Sequence, residues 1–262
     1  MSEPERNALA GETSPFLQHG ATQPVDWQPW GAAAFERARR EDRPILLDIG
    51  AVWCHWCHVM DAESYDDAET ATLINDHFVA IKVDRDERPD VDARYQRAVQ
   101  LMTGQGGWPL TAFLTPDGDV FYGGTYFPPR DAHGRPSMRR VLTELARLWR
   151  EERARALESV EAVRDNLARV AAAETAPGEL DPALLEHTIE ELAESFDFRF
   201  GGFGRAPKFP NAGALDLLLD RALDENVEWA RRIVVETTHA MARGGIYDQL
   251  GGGFHRYATD AR

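Results

Sequence analysis

Short unbroken apolar runs alternate along the first two thirds of this chain with stretches whose apolar residues recur at helical spacing. That alternation predicts a layered α/β domain. The run PILLDIG (44–50), closed by a proline and a glycine, and the run FVAIKVD (78–84) both predict strands covered on two faces. Ala34, Phe35 and Ala38 mark a helix over 31–41, and similar spacing predicts helices over roughly 67–77 and 89–102. The breaker GQGG (104–107) ends the third of these. Two further runs, 108–115 and 120–122, flank Pro116-Asp-Gly-Asp119 and predict a tight hairpin. One long helix is expected from Ser137 to about Ala173, with Leu142, Leu145, Leu148 and Trp149 on one stripe. A mixed sheet follows from this order of elements.

The last third reads differently. After TAPGE (175–179), which predicts a linker, only helical patterns occur, over about 182–196, 212–223 and 227–243, with glycine-rich loops at 200–204 and 244–253. The expected division is a domain over 1–174 and a helical segment over 180–262 that stops in a loop, unfinished. The polar start before Trp27 predicts no element.

Composition narrows the function. Apolar residues make up 43% of 262, enough for a real core. No run approaches the length needed to cross a bilayer, and the opening MSEPERNALAGETS lacks an apolar signal core, so a soluble, cytoplasmic protein is expected, with no membrane partner. A net charge of −15 argues against nucleic acid as a partner. Only Lys82 and Lys208 are lysines, every other basic residue being arginine. Such an acidic, lysine-poor surface suits a salt-rich, halophile-like cytoplasm, or reflects a GC-rich genome.

Both cysteines sit in WCHWCH (53–58), directly after a predicted strand and before a helix start. A structural zinc needs four ligands, and although His55 and His58 lie nearby, no second cysteine pair completes the shell. CHWCH also spells a c-type haem attachment pattern, which fits neither the compartment nor any second axial ligand in the sequence. No metal and no cofactor are therefore expected. Dithiol–disulfide exchange fits best. At a helix start the unpaired N–H groups favour a thiolate, so Cys54 is the expected exposed nucleophile and Cys57, one turn in, the resolving thiol. A protonated His55 adds to that effect. Asp48, in the apolar strand, is expected to be buried with a raised pKa and to take the proton of Cys57. Pro109, after Trp108 and before a strand, suits a cis peptide beside the cysteines.

These residues carry a resemblance. Ile45-Leu-Leu-Asp48, Trp53-Cys-x-x-Cys57 and the Trp108-Pro109 strand resemble a thioredoxin fold. Longer blocks are similar to a thioredoxin-like family of largely unknown function whose animal member is named spermatogenesis-associated. They read WCHWCHVM (53–60), KVDRDERPD (82–90), GQGGWPL (104–110), GGTYFPP (123–129), GGFGRAPKFP (201–210) and GGIYDQLGGGFHRY (244–257). The resemblance implies a thioredoxin-like domain followed by an α/α barrel similar to six-hairpin glycosidases and sugar epimerases, of which this chain holds only the start. Two functions follow as expectations. One is thiol–disulfide exchange on a protein thiol or disulfide, with Trp53, His55, Trp56, Trp108 and Pro109 lining the groove. The other is a carbohydrate-acting enzyme whose site lies in the rest of the barrel, with the thioredoxin-like part as a structural, sensing or binding module. Arg85, Asp86, Glu87, Arg88 and Asp90 form a loop as easily solvated as substrate-contacting, and His255 and Asp248 are not assigned a catalytic role.

Overall fold

The structure is a computed structural model and describes residues 6–132, 134–174, 181, 183–224 and 226–261. The segment expected as a linker, 175–179, lies outside the described residues. Two compact units are present, with the division between residues 176 and 177.

The first unit begins where no element was expected. A 3-10 turn (Ala8–Gly11) and α1 (Pro15–Gly20) are followed by a two-residue strand, β1 (Gln28–Pro29). The signal was local rather than periodic. Ser14 caps α1 by accepting the Leu17 N–H, and Pro15 stands at the first helical position, where its missing donor is not needed. Leu9, Phe16, Leu17, Val25 and Trp27 are all buried here, so the polar-looking start contributes core.

The central elements follow in the anticipated order: α2 (Ala32–Glu41), β2 (Ile45–Gly50), α3 (His55–Met60), a five-residue π-turn (Asp61–Tyr65), α4 (Ala68–His77), β3 (Val79–Asp84), α5 (Pro89–Thr103), β4 (Leu110–Leu114) and β5 (Val120–Gly124). Asp67 caps α4 through the Thr70 N–H at 2.8 Å, which fixes its start. The hairpin turns at Gly118, whose φ of 90° is a conformation that an L side chain would strain.

The sheet runs β1-β3-β2-β4-β5. β1 and β2 lie parallel to β3, whereas β4 is antiparallel to both β2 and β5. Alternate residues of each strand face opposite layers. Ile45, Leu47, Ile49, Val79, Ile81 and Val83 pack towards α2 and α5. Leu46, Ala80, Phe113 and Phe121 pack towards α1, α3 and α4. Each of these aliphatic side chains, removed from water, stabilises the fold by roughly 1.5–3 kcal/mol, which explains why the central strands read as near-continuous apolar runs.

The long helix expected over 137–173 is two. α6 (Met138–Glu151) and α7 (Arg153–Glu174) are separated at Glu152, whose φ of −132° and ψ of 37° leave the helical region. Its carboxylate pairs with Arg147 and Arg155 across the break. Neither glycine nor proline marks this point, so periodicity alone ran through it. In α6 Leu142, Leu145 and Trp149 are buried as the stripe requires, with Leu148 half-buried at its edge.

The second unit holds α8 (Ala183–Glu194), α9 (Ala212–Asp224) and α10 (Glu228–Arg243). Their common core is Ile189, Phe196, Phe203, Leu218, Ala222, Ala230 and Ile233. Lys208 is buried in this unit, its ammonium donating to Asp197 at 2.5 Å and to the Gly201 carbonyl at 2.6 Å. The Asp248 carboxylate accepts the Leu250 and Gly251 N–H groups, which holds its pKa below the usual range and marks it as a turn residue. No helix among the described residues is long and apolar enough to cross a membrane.

Candidate active site

β2 delivers the chain to Gly50, and four residues later Cys54 becomes the N-cap of α3. Its extended backbone, φ −85° and ψ 103°, leaves the side chain free to accept the Cys57 N–H at 3.1 Å. Cys54 and Cys57 form a disulfide, with Cα atoms 5.2 Å apart. Gly50 is required here. A Cβ at this position would stand 2.8 Å from the Cys57 sulfur and 2.6 Å from Cζ of Phe16. Cys54, expected as the exposed sulfur, is only 6% accessible, against 3% for Cys57. The correction has a local cause. Trp53, directly before it, and Trp56, two residues on, take solvent-facing positions, at 42% and 43% exposure.

The Trp108–Pro109 bond is cis. Because Ile49 pairs with Leu110 in antiparallel register, Pro109 continues that ladder level with Gly50, beneath the cysteine loop. Trp108 and Trp53 meet edge to face at 5.6 Å, and the Arg85 guanidinium lies 4.8 Å over the Trp108 ring. The indole N–H groups are fixed as well: Trp53 donates to Asp86 at 2.7 Å and Trp108 to Asp92 at 2.9 Å. Arg85 donates to both carboxylates, at 3.0 and 3.3 Å. On the other side Trp56 contacts Tyr126 at 5.1 Å, and the Tyr126 hydroxyl donates to Glu63. Burial, reinforced by that carboxylate, pushes Tyr126 up to about 12. His55 is exposed, its ring 5.7 Å from that of Trp56.

Beneath the disulfide lies a buried charged cluster. Asp48 and Gly50 project from the same face of β2, about 7 Å apart along the strand, so Asp48 sits one pleat below the Cys57 sulfur. In-register pairing sets Lys82 beside Asp48, and its ammonium donates to Asp48 at 2.7 Å and to Asp61 at 2.9 Å. All three are at most 1% exposed. Burial raises the Asp48 pKa, and although Lys82 pulls it down, burial prevails. Burial also disfavours the Lys82 ammonium, but the two carboxylates outweigh it and hold its pKa above the ordinary value. Lys82 is further surrounded by the rings of Phe16, Trp27 and Tyr65 at 4.6–5.2 Å.

The structure thus brings Cys54, Cys57, Trp53, Trp56, Trp108 and Pro109 to one end of the sheet, with Asp48 below them and His55 outside. Of the loop after β3, Arg85 and Asp86 join this surface, whereas Arg88 turns to pair with Asp90 at 2.7 Å. Lys82, Asp61, Tyr65 and Asp92 escaped the sequence reading. A lysine inside an otherwise apolar strand was the available signal, since a buried cation demands a carboxylate partner.

A Cys-x-x-Cys pair capping the helix that follows the central strand, beside a cis-proline on a five-stranded mixed sheet, defines a thioredoxin-like domain. The Thioredox_DsbH family model, described as "Protein of unknown function, DUF255", matches residues 6–168, and the chain belongs to this family. It is 43% identical over 265 residues to an uncharacterized protein of Caenorhabditis elegans, covering 99% of this chain and 36% of that protein. It is 41% identical over 268 residues to spermatogenesis-associated protein 20 of Homo sapiens, covering 99% of this chain and 34% of the human protein. The chain therefore spans about a third of the length of these relatives. Among solved structures, it is similar to a DsbH oxidoreductase at 19% identity, covering 47% of this chain and 83% of that one, with a TM-score of 0.36. A putative disulphide-isomerase from Bacteroides thetaiotaomicron aligns at 22% identity over 49% of this chain and 95% of that one, again with a TM-score of 0.36.

Proposed function

We propose that this domain is a thiol–disulfide oxidoreductase acting on protein substrates. The observation that carries the reading is the Cys54–Cys57 disulfide at a helix start, flanked by the exposed Trp53 and Trp56 and the half-buried Trp108. In the reduced form the Cys54 thiolate, stabilised by the Cys57 N–H, attacks one sulfur of a substrate disulfide. A mixed disulfide forms and the substrate's other sulfur leaves as a thiolate, which takes up a proton. Asp48 then receives the proton of Cys57, directly or through one water, and the Cys57 thiolate attacks the Cys54 sulfur. The second substrate sulfur departs, so two electrons have passed to the substrate and the domain holds its own disulfide. The reverse sequence oxidises a substrate dithiol. Trp53, His55, Trp56, Trp108 and Pro109 are read as the surface that seats the substrate chain.

The test uses Cys57→Ser, which stops the reaction at the mixed disulfide. Mass spectrometry is expected to find substrate proteins linked through Cys54 and released by a reductant, and the Cys54 thiol of the reduced protein should alkylate near pH 7 faster than a model thiol. Alkylation no faster than that of the model thiol, with no adduct trapped, would overturn the proposal.

A further inference from the structure

We infer that His19, His58 and Asp61 form a binding site for a first-row divalent metal ion such as zinc, separate from the cysteine pair and independent of the thiol reading. One ligand atom from each of the three lies within 4.8 Å of the others. The three come from different elements. His19 stands in the last turn of α1, His58 in α3, and Asp61 opens the π-turn that follows. His58 and Asp61 are three residues apart and share a helix face. Helical π-turns of this kind are rare and concentrate at functional sites.

Two of the three donors are prepared for the role. Nε2 of His58 lies 2.7 Å from the Val52 carbonyl. A carbonyl only accepts, so Nε2 carries the proton and Nδ1 is left with its lone pair. A metal-binding imidazole is commonly oriented in this way by a backbone carbonyl. Oδ1 of Asp61 accepts from Lys82 at 2.9 Å and from Gln23 at 3.1 Å, and Gln23 is itself held by the Trp27 indole N–H at 2.8 Å. Oδ2 of the same carboxylate is buried and, among the described residues, has no hydrogen-bond partner. Such an oxygen, desolvated but unused, is rare in a native fold and calls for an occupant. Lys82 does not neutralise it alone, because that one cation is shared with Asp48.

The donor set selects the ion. Two imidazoles and one carboxylate suit first-row dications, whereas calcium and magnesium prefer an all-oxygen shell. Zinc bonds of about 2.0–2.1 Å place neighbouring ligand atoms roughly 3.0–3.5 Å apart, so loading draws the cluster together. His19, which is exposed and contacts the His58 ring edge at 5.4 Å, is the side chain with room to turn inward. A water completes four-coordination. The sequence alone led to the expectation of no metal; the site inferred here uses neither cysteine nor His55.

The experiment is calorimetric titration of zinc chloride into the chelator-stripped chain, in its disulfide form and as Cys54→Ser/Cys57→Ser. One equivalent is expected to bind both forms, weakened about 100-fold or more by His19→Ala and by His58→Ala, each checked for native near-ultraviolet dichroism. Cobalt(II) in the same chain should show visible bands without a thiolate charge-transfer band. Because His19 is exposed, its variant keeps the test meaningful even where Asp61→Asn fails to fold. Binding that is absent, that survives His19→Ala unchanged, or that requires reduced cysteines would overturn the assignment.

Discussion

Lys82→Met removes the ammonium that joins Asp48 to Asp61 and replaces it with an apolar side chain of similar length. Both carboxylates are 1% exposed and lose a donor at 2.7 and 2.9 Å. Breaking a buried ion pair from one side costs about 3–5 kcal/mol. The protein has one escape, which is to bury a carboxyl in protonated form. At pH 7 protonating an aspartate of ordinary pKa near 3.9 costs about 4 kcal/mol, so the escape offers little relief there. A penalty of about 4 kcal/mol is therefore expected at pH 7. With an m-value of roughly 2 kcal/mol/M in urea, the midpoint should fall by about 2 M. Six of the seven tryptophans lie before residue 177, so tryptophan fluorescence reports on the first unit. The sign of the pH dependence follows from linkage. In the variant the folded-state pKa of a buried carboxyl lies above its unfolded value, so the stability it contributes is present at low pH and is lost as pH rises. The gap between variant and wild type should shrink by up to about 1.4 kcal/mol per pH unit as pH falls from 7 towards 4. Adding Asp48→Asn to Lys82→Met should recover part of the loss at pH 7. A penalty below about 1 kcal/mol, or one that does not change with pH, would refute the view that Lys82 is held there by charge.

Two further outcomes are expected. Asp48→Asn should slow disulfide exchange at least about tenfold while raising stability at neutral pH, since the Asp48 pKa is raised in the folded state and its ionised form is unfavourable there; a turnover assay paired with urea melts reads both, and unchanged turnover would remove Asp48 from the proton path. Gly50→Ala should destabilise the first unit by about 1–3 kcal/mol, because the new methyl meets the Cys57 sulfur and the Phe16 ring at 2.8 and 2.6 Å; a wild-type urea midpoint would contradict it.

Elements were legible wherever one kind of signal sufficed. β2 and β3 announced themselves because strands covered on two faces leave little room for polar residues, and α4 stood out as a helical stretch between them. The Cys54–Cys57 pair, Asp48 and Pro109 stood out as residue types that are chemically costly or conformationally special where they occur. Other features depend on partners distant in sequence. Ser14 donates to Asp84, seventy positions away, at 2.6 Å, and this bond with the buried Phe16 and Trp27 binds the chain's start to the core. Asp61 looks like any helix-surface acid until Lys82 and Gln23 are seen to meet it. The break at Glu152 is held by its arginine partners rather than by a helix-breaking residue.

Burial shields both lysine side chains of the folded chain from amine-directed reagents. Lys82 and Lys208 each have their ammonium engaged by carboxylate oxygens inside a different unit. Acylating reagents should therefore label Lys82 only when the first unit opens and Lys208 only when the second does. Digestion at arginine separates the two positions, so a single labelling time course would give the opening frequency of each unit from one unmodified chain.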